Sequence, residues 1–130
     1  MEHLKIQTNE RIELVNITSK IEKFVESKKT GICFIFVPHA TAALIMQEDE
    51  EGLKRDIENK IKEIFFQGNY EHDKIDNNAA SHIKAAILGP SETIHVKDGK
   101  LQLGQWQDIS FIELDGPRTE RKIIVEVIGS

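Results

Sequence analysis

The imidazole is the side chain of this sequence with the widest chemical reach at neutral pH, and three of the five histidines stand among carboxylates, breakers and small residues. In residues 70–89, His72 lies in a polar stretch with Asp73 and Asp76, and His82 follows where the pattern turns helical. His39 comes directly after Pro38, at the end of an apolar run. Neutral imidazoles are common ligands of divalent transition metals, so His39, His72 and His82 form a candidate metal constellation if the fold gathers them. Their spacing is neither that of a zinc finger nor that of an HExxH helix. A histidine taken singly is more often a surface or hydrogen-bonded residue than a ligand.

The element that must position His82 is a helix predicted over residues 78–88. Asp76 or Asn77 can serve as its N-cap, alanines fill it, and Gly89-Pro90 stops it. That spacing puts Asn78 and His82 at i and i+4 on one face, with Ile83, Ile87 and Leu88 as an apolar stripe. His39 opens a run of small residues, Ala40-Thr41-Ala42-Ala43, as close backbone approach, a ligand or subunit packing would require. Glu48, in the acidic run ahead of the next helix, could supply a carboxylate to a metal or a substrate. The rest of that run complements a helix dipole.

The 130 residues read as one domain, 1–130, able to bury roughly 65–70% of the unfolded surface without a disulfide or structural metal. A net charge of −5 argues against nucleic acid as a partner. No apolar run reaches the ~20 residues of a spanning helix and no signal peptide is visible, so no membrane partner and a cytoplasmic location are expected. Cys33, the single cysteine, reads as a small core residue in the run of residues 32–37.

Taken in order, residues 3–15 alternate as a half-buried hairpin or bent strand broken at Asn9-Glu10. Thr18 then caps a helix bearing Ile21, Phe24 and Val25, with Ile17 as its staple. Residues 32–37 read as a strand buried on both faces, and residues 40–46 as a second strand or a kinked continuation. A second helix carries Leu53, Ile57, Ile61, Ile64 and Phe65 on one stripe. Beyond the His82 helix, residues 92–104 form a hairpin around Asp98-Gly99, with His95 at a structural strand position, and two further strands run over 109–114 and 121–128. About seven strands and about three helices without regular alternation make the class α+β.

Several motifs in this order resemble the YjbQ-like family, small proteins also described as secondary thiamine-phosphate synthases. The resemblance spans nearly the whole chain. It rests on Pro38-His39-Ala40-Thr41-Ala42-Ala43, Asn77-Asn78-Ala79-Ala80-Ser81-His82-Ile83-Lys84-Ala85, Leu88-Gly89-Pro90-Ser91, Asp98-Gly99-Lys100-Leu101, Leu103-Gly104-Gln105-Trp106-Gln107 and Glu113-Leu114-Asp115-Gly116-Pro117-Arg118. It implies a β-sandwich-like arrangement of mixed or antiparallel sheets, a homotrimer, and histidines of the His39, His72 and His82 segments gathered around a divalent metal such as zinc. The implied activity is a weak coupling of hydroxymethylpyrimidine diphosphate to a thiazole phosphate, with loss of diphosphate. Ala40 and Met46-Gln47 depart from commoner members, whereas Glu48 matches.

That chemistry assigns expected roles. Diphosphate departure calls for positive charge and positioning, so Arg118 is a catalytic candidate, with Arg121 behind it to complete a phosphate fork, and Glu48 is the other, as a carboxylate to a metal or substrate. Trp106 offers a flat face to a heterocycle, Asn78 a hydrogen bond near His82, and Asp76 a carboxylate to orient an imidazole ligand. A small phosphorylated ligand is the expected small-molecule partner. The same residues suit two alternatives, a metal-dependent phosphate-ester hydrolase and a non-enzymatic trimeric module that binds a metal or ligand.

Overall fold

The computed structural model describes residues 1–64 and 69–129. In chain order its elements are β1 (Glu2–Thr8), β2 (Glu13–Asn16), α1 (Thr18–Val25), β3 (Thr30–Phe36), β4 (Ala42–Gln47) and α2 (Glu51–Glu63). A 3-10 turn (Glu71–Lys74), α3 (Ala79–Leu88), β5 (Ser91–Lys97), β6 (Lys100–Leu101), β7 (Asp108–Glu113) and β8 (Arg118–Ile128) follow. Two antiparallel sheets form, one of five strands in the order β1-β8-β3-β5-β6 and one of three in the order β2-β7-β4. The class is α+β, with eight strands and three α-helices among the described residues.

Alternation along β7 writes the layers. Ile109 and Phe111 join the core between the sheets, where Ile35, Leu44, Ile123 and Val125 meet them and α1 inserts Ile21 and Val25. Ile112, with Leu114 just beyond the strand, belongs to a second core on the other face of the three-stranded sheet, against Ile61 of α2 and Ala85 of α3. The small residues after His39 now have their reason. Ala42 is in the first core and Ala43 in the second, so β4 is thin on both faces, and what comes near Ala43 is α3. Cys33 is wholly buried, and burial pushes its thiol up to about 11.

Several elements depart from the sequence reading. β1 and β2 are not a hairpin; they lie in different sheets, β1 pairing along its length with β8, where the Thr8 hydroxyl at its end also accepts the Arg118 amide (2.9 Å). β3 is buried on one face only. Cys33, Ile35 and Val37 point inward, while Ile32 is 44% exposed and Phe34 and Phe36 are half-buried. Thr18 is the first residue of α1 instead of its cap: Asn16 Oδ1 accepts its amide (2.9 Å), and its own hydroxyl accepts from the Ile109 amide (2.8 Å). The acidic run behaves as helix chemistry predicts, with Glu50 accepting from the amides of Gly52 (2.6 Å) and Leu53 (2.8 Å). Asp98-Gly99 turns the β5–β6 hairpin with φ of 50° and 76°. Phe65, expected on the α2 stripe, lies outside the described residues. No helix among the described residues is long and apolar enough to cross a membrane.

Candidate functional site

The segment before α3 folds back on itself. Within the 3-10 turn the His72 carbonyl accepts from the amides of Ile75 (2.9 Å) and Asp76 (3.2 Å), and Asn77 then reverses the chain at a φ of 53°. Asparagine tolerates that conformation better than most side chains. The reversal lets Asp73 Oδ1 accept the Ala79 amide (2.9 Å), so α3 is capped by Asp73 and by neither Asp76 nor Asn77. Asn78 stands at the N-cap position without a capping bond, and its Nδ2 donates instead to Asp115 Oδ2 (2.9 Å).

This geometry brings His72 and His82 together, ring edge to ring face, with centroids 4.7 Å apart and an interplanar angle of 81°. His72 Nε2 is buried with no hydrogen-bond partner among the described residues. Asp76 Oδ2, at 3.8 Å, is too far for a hydrogen bond and forms an ion pair only with a protonated ring. The other orphan of this region is Asn78 Oδ1. A flip of the Asn78 amide would not help, since it would aim an oxygen at the Asp115 carboxylate.

His39 does not join the pair. Its Nε2 accepts the Lys122 amide (2.8 Å), in place of the carbonyl that β3 would present had Pro38 not ended the strand. Burial, and then the positive charge of Arg121, lower the His39 pKa, which keeps the ring neutral and able to accept. Among the described residues of one chain, no three His, Cys, Asp or Glu side chains form a group that could hold a metal ion. The chain offers two imidazoles, one with an unspent nitrogen. As part of a ligand set they fit a divalent transition metal; as a whole set they do not.

Arg121, expected to bind substrate, is an internal residue. It is 4% exposed, donates from Nε to Glu113 Oε1 (2.9 Å), and donates from Nη2 to Glu113 Oε2 and to the Thr41 hydroxyl (3.0 Å) and carbonyl (3.2 Å). Glu113 is fully buried at the end of β7, on the face that β7 turns to the sandwich interior, and also accepts from the Thr8 hydroxyl (2.7 Å) and the Asp115 amide (3.0 Å). Burial alone would raise its pKa, but the bonds from Arg121, Asp115 and Thr8 outweigh it and hold the carboxyl below its ordinary range. Asp115 is the next node, with Arg118 Nη2 at 3.1 Å and Arg11 Nη2 at 3.3 Å besides Asn78. Burial raises its pKa too, and Asn78, Arg11 and Arg118 together lower it further. Gly116 passes so close to this centre that a Cβ there would stand 2.7 Å from Glu113 Cγ.

Arg118 itself is exposed, and its Nε donates to the Asp115 carbonyl (2.9 Å). Glu48 is half-buried between β4 and α2, and Trp106 is 66% exposed in the turn between β6 and β7. Neither lines the cavity that flanks α3.

That cavity, of about 660 Å³, was not foreseen. Arg11, Lys62 and Lys84 line it, together with Tyr70, Asn78 and Ser81. Lys84 is only 7% exposed, and burial, then the nearby Arg11 charge, lower its pKa. One signal was present: Lys84 is the only charged residue apart from the histidine in the sequence of α3, AASHIKAAIL. Its burial is set by Leu114, whose carbonyl accepts from the Ser81 hydroxyl (2.7 Å) and draws that face of the helix onto the sheet.

The family model described as "UPF0047 protein YjbQ-like" matches residues 2–130. A UPF0047 protein of Archaeoglobus fulgidus is 43% identical over 122 residues, covering 93% of this chain and 96% of its own. The UPF0047 protein YugU of Bacillus subtilis is 33% identical, with 97% of each chain covered. Among solved structures, a YbjQ-like protein of unknown function from Sulfolobus solfataricus superposes with a TM-score of 0.95 at 45% identity, covering 99% of this chain and 96% of that one.

Proposed function

The chain belongs to the YjbQ-like UPF0047 family, and we propose that it is the subunit of an enzyme acting on a small phosphorylated substrate with a divalent metal, zinc being the ion that imidazole ligands suit. The carrying observation is the buried, unpartnered Nε2 of His72 against the His82 ring. Such a nitrogen is costly to leave unsatisfied, and a cation is the partner that an acceptor lone pair beside a second imidazole best accommodates. His72 and His82 would hold the ion, leaving other positions to substrate or to a neighbouring subunit.

The reaction is the one the family resemblance implies, a weak thiamine-phosphate synthase activity: the ring nitrogen of a thiazole phosphate displaces diphosphate from hydroxymethylpyrimidine diphosphate. A bound divalent ion would supply charge neutralisation at the departing diphosphate oxygens. The chain itself supplies position and further charge. Asp73 fixes the start of α3 and so the His82 ring, and exposed Arg118 presents a guanidinium steadied by Asp115.

Assembly as a homotrimer accompanies this reading. What supports self-association is the outer face of the five-stranded sheet. Ile32 is opposite Ile128 and Phe36 opposite Ile124, and Phe34 stacks on Phe36 at 6.4 Å, an apolar patch on an otherwise charged surface.

The test is elemental analysis of untagged protein beside a synthase assay, on wild type, His39→Ala, His72→Ala and His82→Ala. About one divalent ion per chain, lost in the His72 and His82 variants together with thiamine phosphate formation, is expected. His39→Ala should keep its metal, since His39 Nε2 is engaged by the Lys122 amide. No metal in wild type after zinc is supplied would sink the reading. Metal without turnover would leave a binding module.

A further inference from the structure

We propose that the cavity beside α3 is an anion site in which Lys84, Arg11 and Lys62 seat the phosphate group of the ligand, while the Asn78 side-chain carbonyl accepts a hydrogen bond from a hydroxyl or amino group of the same molecule. This rests on the reading above only in taking the ligand to be phosphorylated. It assigns the phosphate to residues other than the His72–His82 pair.

Lys84 carries the argument. A lysine only 7% exposed is normally paired with a carboxylate or with several carbonyls. Among the described residues Lys84 has neither a hydrogen bond nor an ion pair, and the charge acting on it from nearby is that of Arg11, of like sign. Among the described residues no carboxylate or carbonyl rewards the burial of this side chain, and an apolar one would pack there at lower cost. Lys84 lines the cavity, where the missing counter-charge has room to bind.

The remaining lining agrees in sign. Arg11, also paired with the Asp115 carboxylate at 3.3 Å, and Lys62 join Lys84 as three cations against the single carboxylate of Asp73, which is turned to the Ala79 amide. The lining is therefore net positive in a chain of net charge −5. Clustered ammonium and guanidinium groups recognise phosphate oxygens through short charge-assisted bonds. Asn78 adds specificity: Asp115 fixes its amide, and Oδ1 is left buried among the lining residues with no donor. The phosphoryl group of a monoester dianion has no proton of its own to offer it. A phosphate monoester carrying a hydroxyl or amine does. The volume, about 660 Å³, suits such a molecule.

The experiment is calorimetric titration of the full chain, stripped of metal by chelation and then dialysed, with inorganic phosphate and with glycerol phosphate. Wild type should bind both, glycerol phosphate more tightly. Lys84→Met should weaken both by about tenfold to a hundredfold, and Arg11→Ala, a change at an exposed residue that leaves the fold intact, by a smaller factor. His82→Ala should bind as wild type does. Unchanged affinity in folded Lys84→Met and Arg11→Ala would overturn the proposal, as would no binding of either probe by metal-free wild type. Binding that needs metal and vanishes in His82→Ala would also overturn it and place the phosphate at the imidazoles. Lys84-dependent binding in a protein that takes up no metal would uphold this site while the metal reading fails.

Discussion

The Glu113–Arg121 centre and the flank of α3 are both polar and joined through Asp115, the first closed to water and the second bordering an open cavity, and they differ in one further respect. In the first, both Glu113 oxygens and the Nε and Nη2 of Arg121 have partners, which extend to Thr8, Thr41 and the Asp115 amide. In the second, His72 Nε2 and Asn78 Oδ1 are buried without hydrogen-bond partners among the described residues, beside a largely buried Lys84. Buried polar groups in native proteins are satisfied as a rule, so the first centre accounts for itself as structure. The second asks what else binds there. Sequence reading gave Arg121 a ligand-binding role and gave Lys84 none; in the fold the Arg121 side chain is bonded to Glu113 and Thr41, and Lys84 has neither a hydrogen bond nor an ion pair among the described residues.

The largest effect should come from breaking the satisfied centre. Arg121→Met leaves a buried carboxylate uncompensated, and urea denaturation should show a loss of about 3–5 kcal/mol. Replacing both partners, as Glu113→Leu with Arg121→Met, should recover most of it, because the pair's desolvation cost leaves with it. A double variant as unstable as the single one would mean that the network gives more than it costs.

The same centre should carry the protein's sensitivity to acid. Glu113 and Asp115 have folded pKa values below their ordinary ones, so the folded state binds fewer protons and acid favours unfolding. The stability they contribute is full above the ordinary carboxylate range, about pH 4–4.5, and is lost as pH falls through the lowered values. Urea midpoints measured from pH 6 down to 3 should therefore fall steeply in wild type. The slope should be shallower in Arg121→Met, which has lost the main partner of Glu113.

On the other side, Asp73→Ala removes the cap of α3 and should cost about 1 kcal/mol, within the usual range for a lost helix cap. Its sharper signature is functional. If the 3-10 turn holds the imidazole pair in place, metal content and synthase activity should fall by more than the stability loss explains. A variant with lowered stability and full metal would separate the cap from the site.

What the sequence made legible were features written locally. The α3 boundaries, the Asp98-Gly99 turn, the acidic cap of α2 and the strands on either side of Asp115-Gly116-Pro117-Arg118 follow from neighbours a few residues apart. The misreadings share a long-range cause. β1 and β2 look like a hairpin until a hydroxyl at residue 8 is found bound to the amide of residue 118. Likewise, His39 is visible as a histidine at a strand break, but its use as an acceptor for Lys122 depends on a partner 83 residues away. Lys84 is one residue of a motif in the sequence, and its burial follows only from the packing of α3 on the sheet. Period and composition specify which face of an element is apolar, and they are silent on which charged residue will be left without a partner.

The smallest effect tests that distinction most directly. His72→Leu exchanges an imidazole with a buried, unpaired nitrogen for an apolar side chain of similar reach. If that nitrogen served the fold, the change would destabilise as Arg121→Met does. Because it is unpaired, the folded state loses no hydrogen bond and is relieved of a desolvated acceptor, so stability should stay within about 0.5 kcal/mol of wild type or rise by about 1 kcal/mol. Thermal unfolding of metal-free protein measures this without interference from bound ion. When zinc is added, wild type should gain stability with the logarithm of the free metal concentration once that exceeds the dissociation constant, and His72→Leu should not respond. An unpaired polar atom retained at a cost to the apo fold, and repaid only when metal is supplied, is what separates a site from a core.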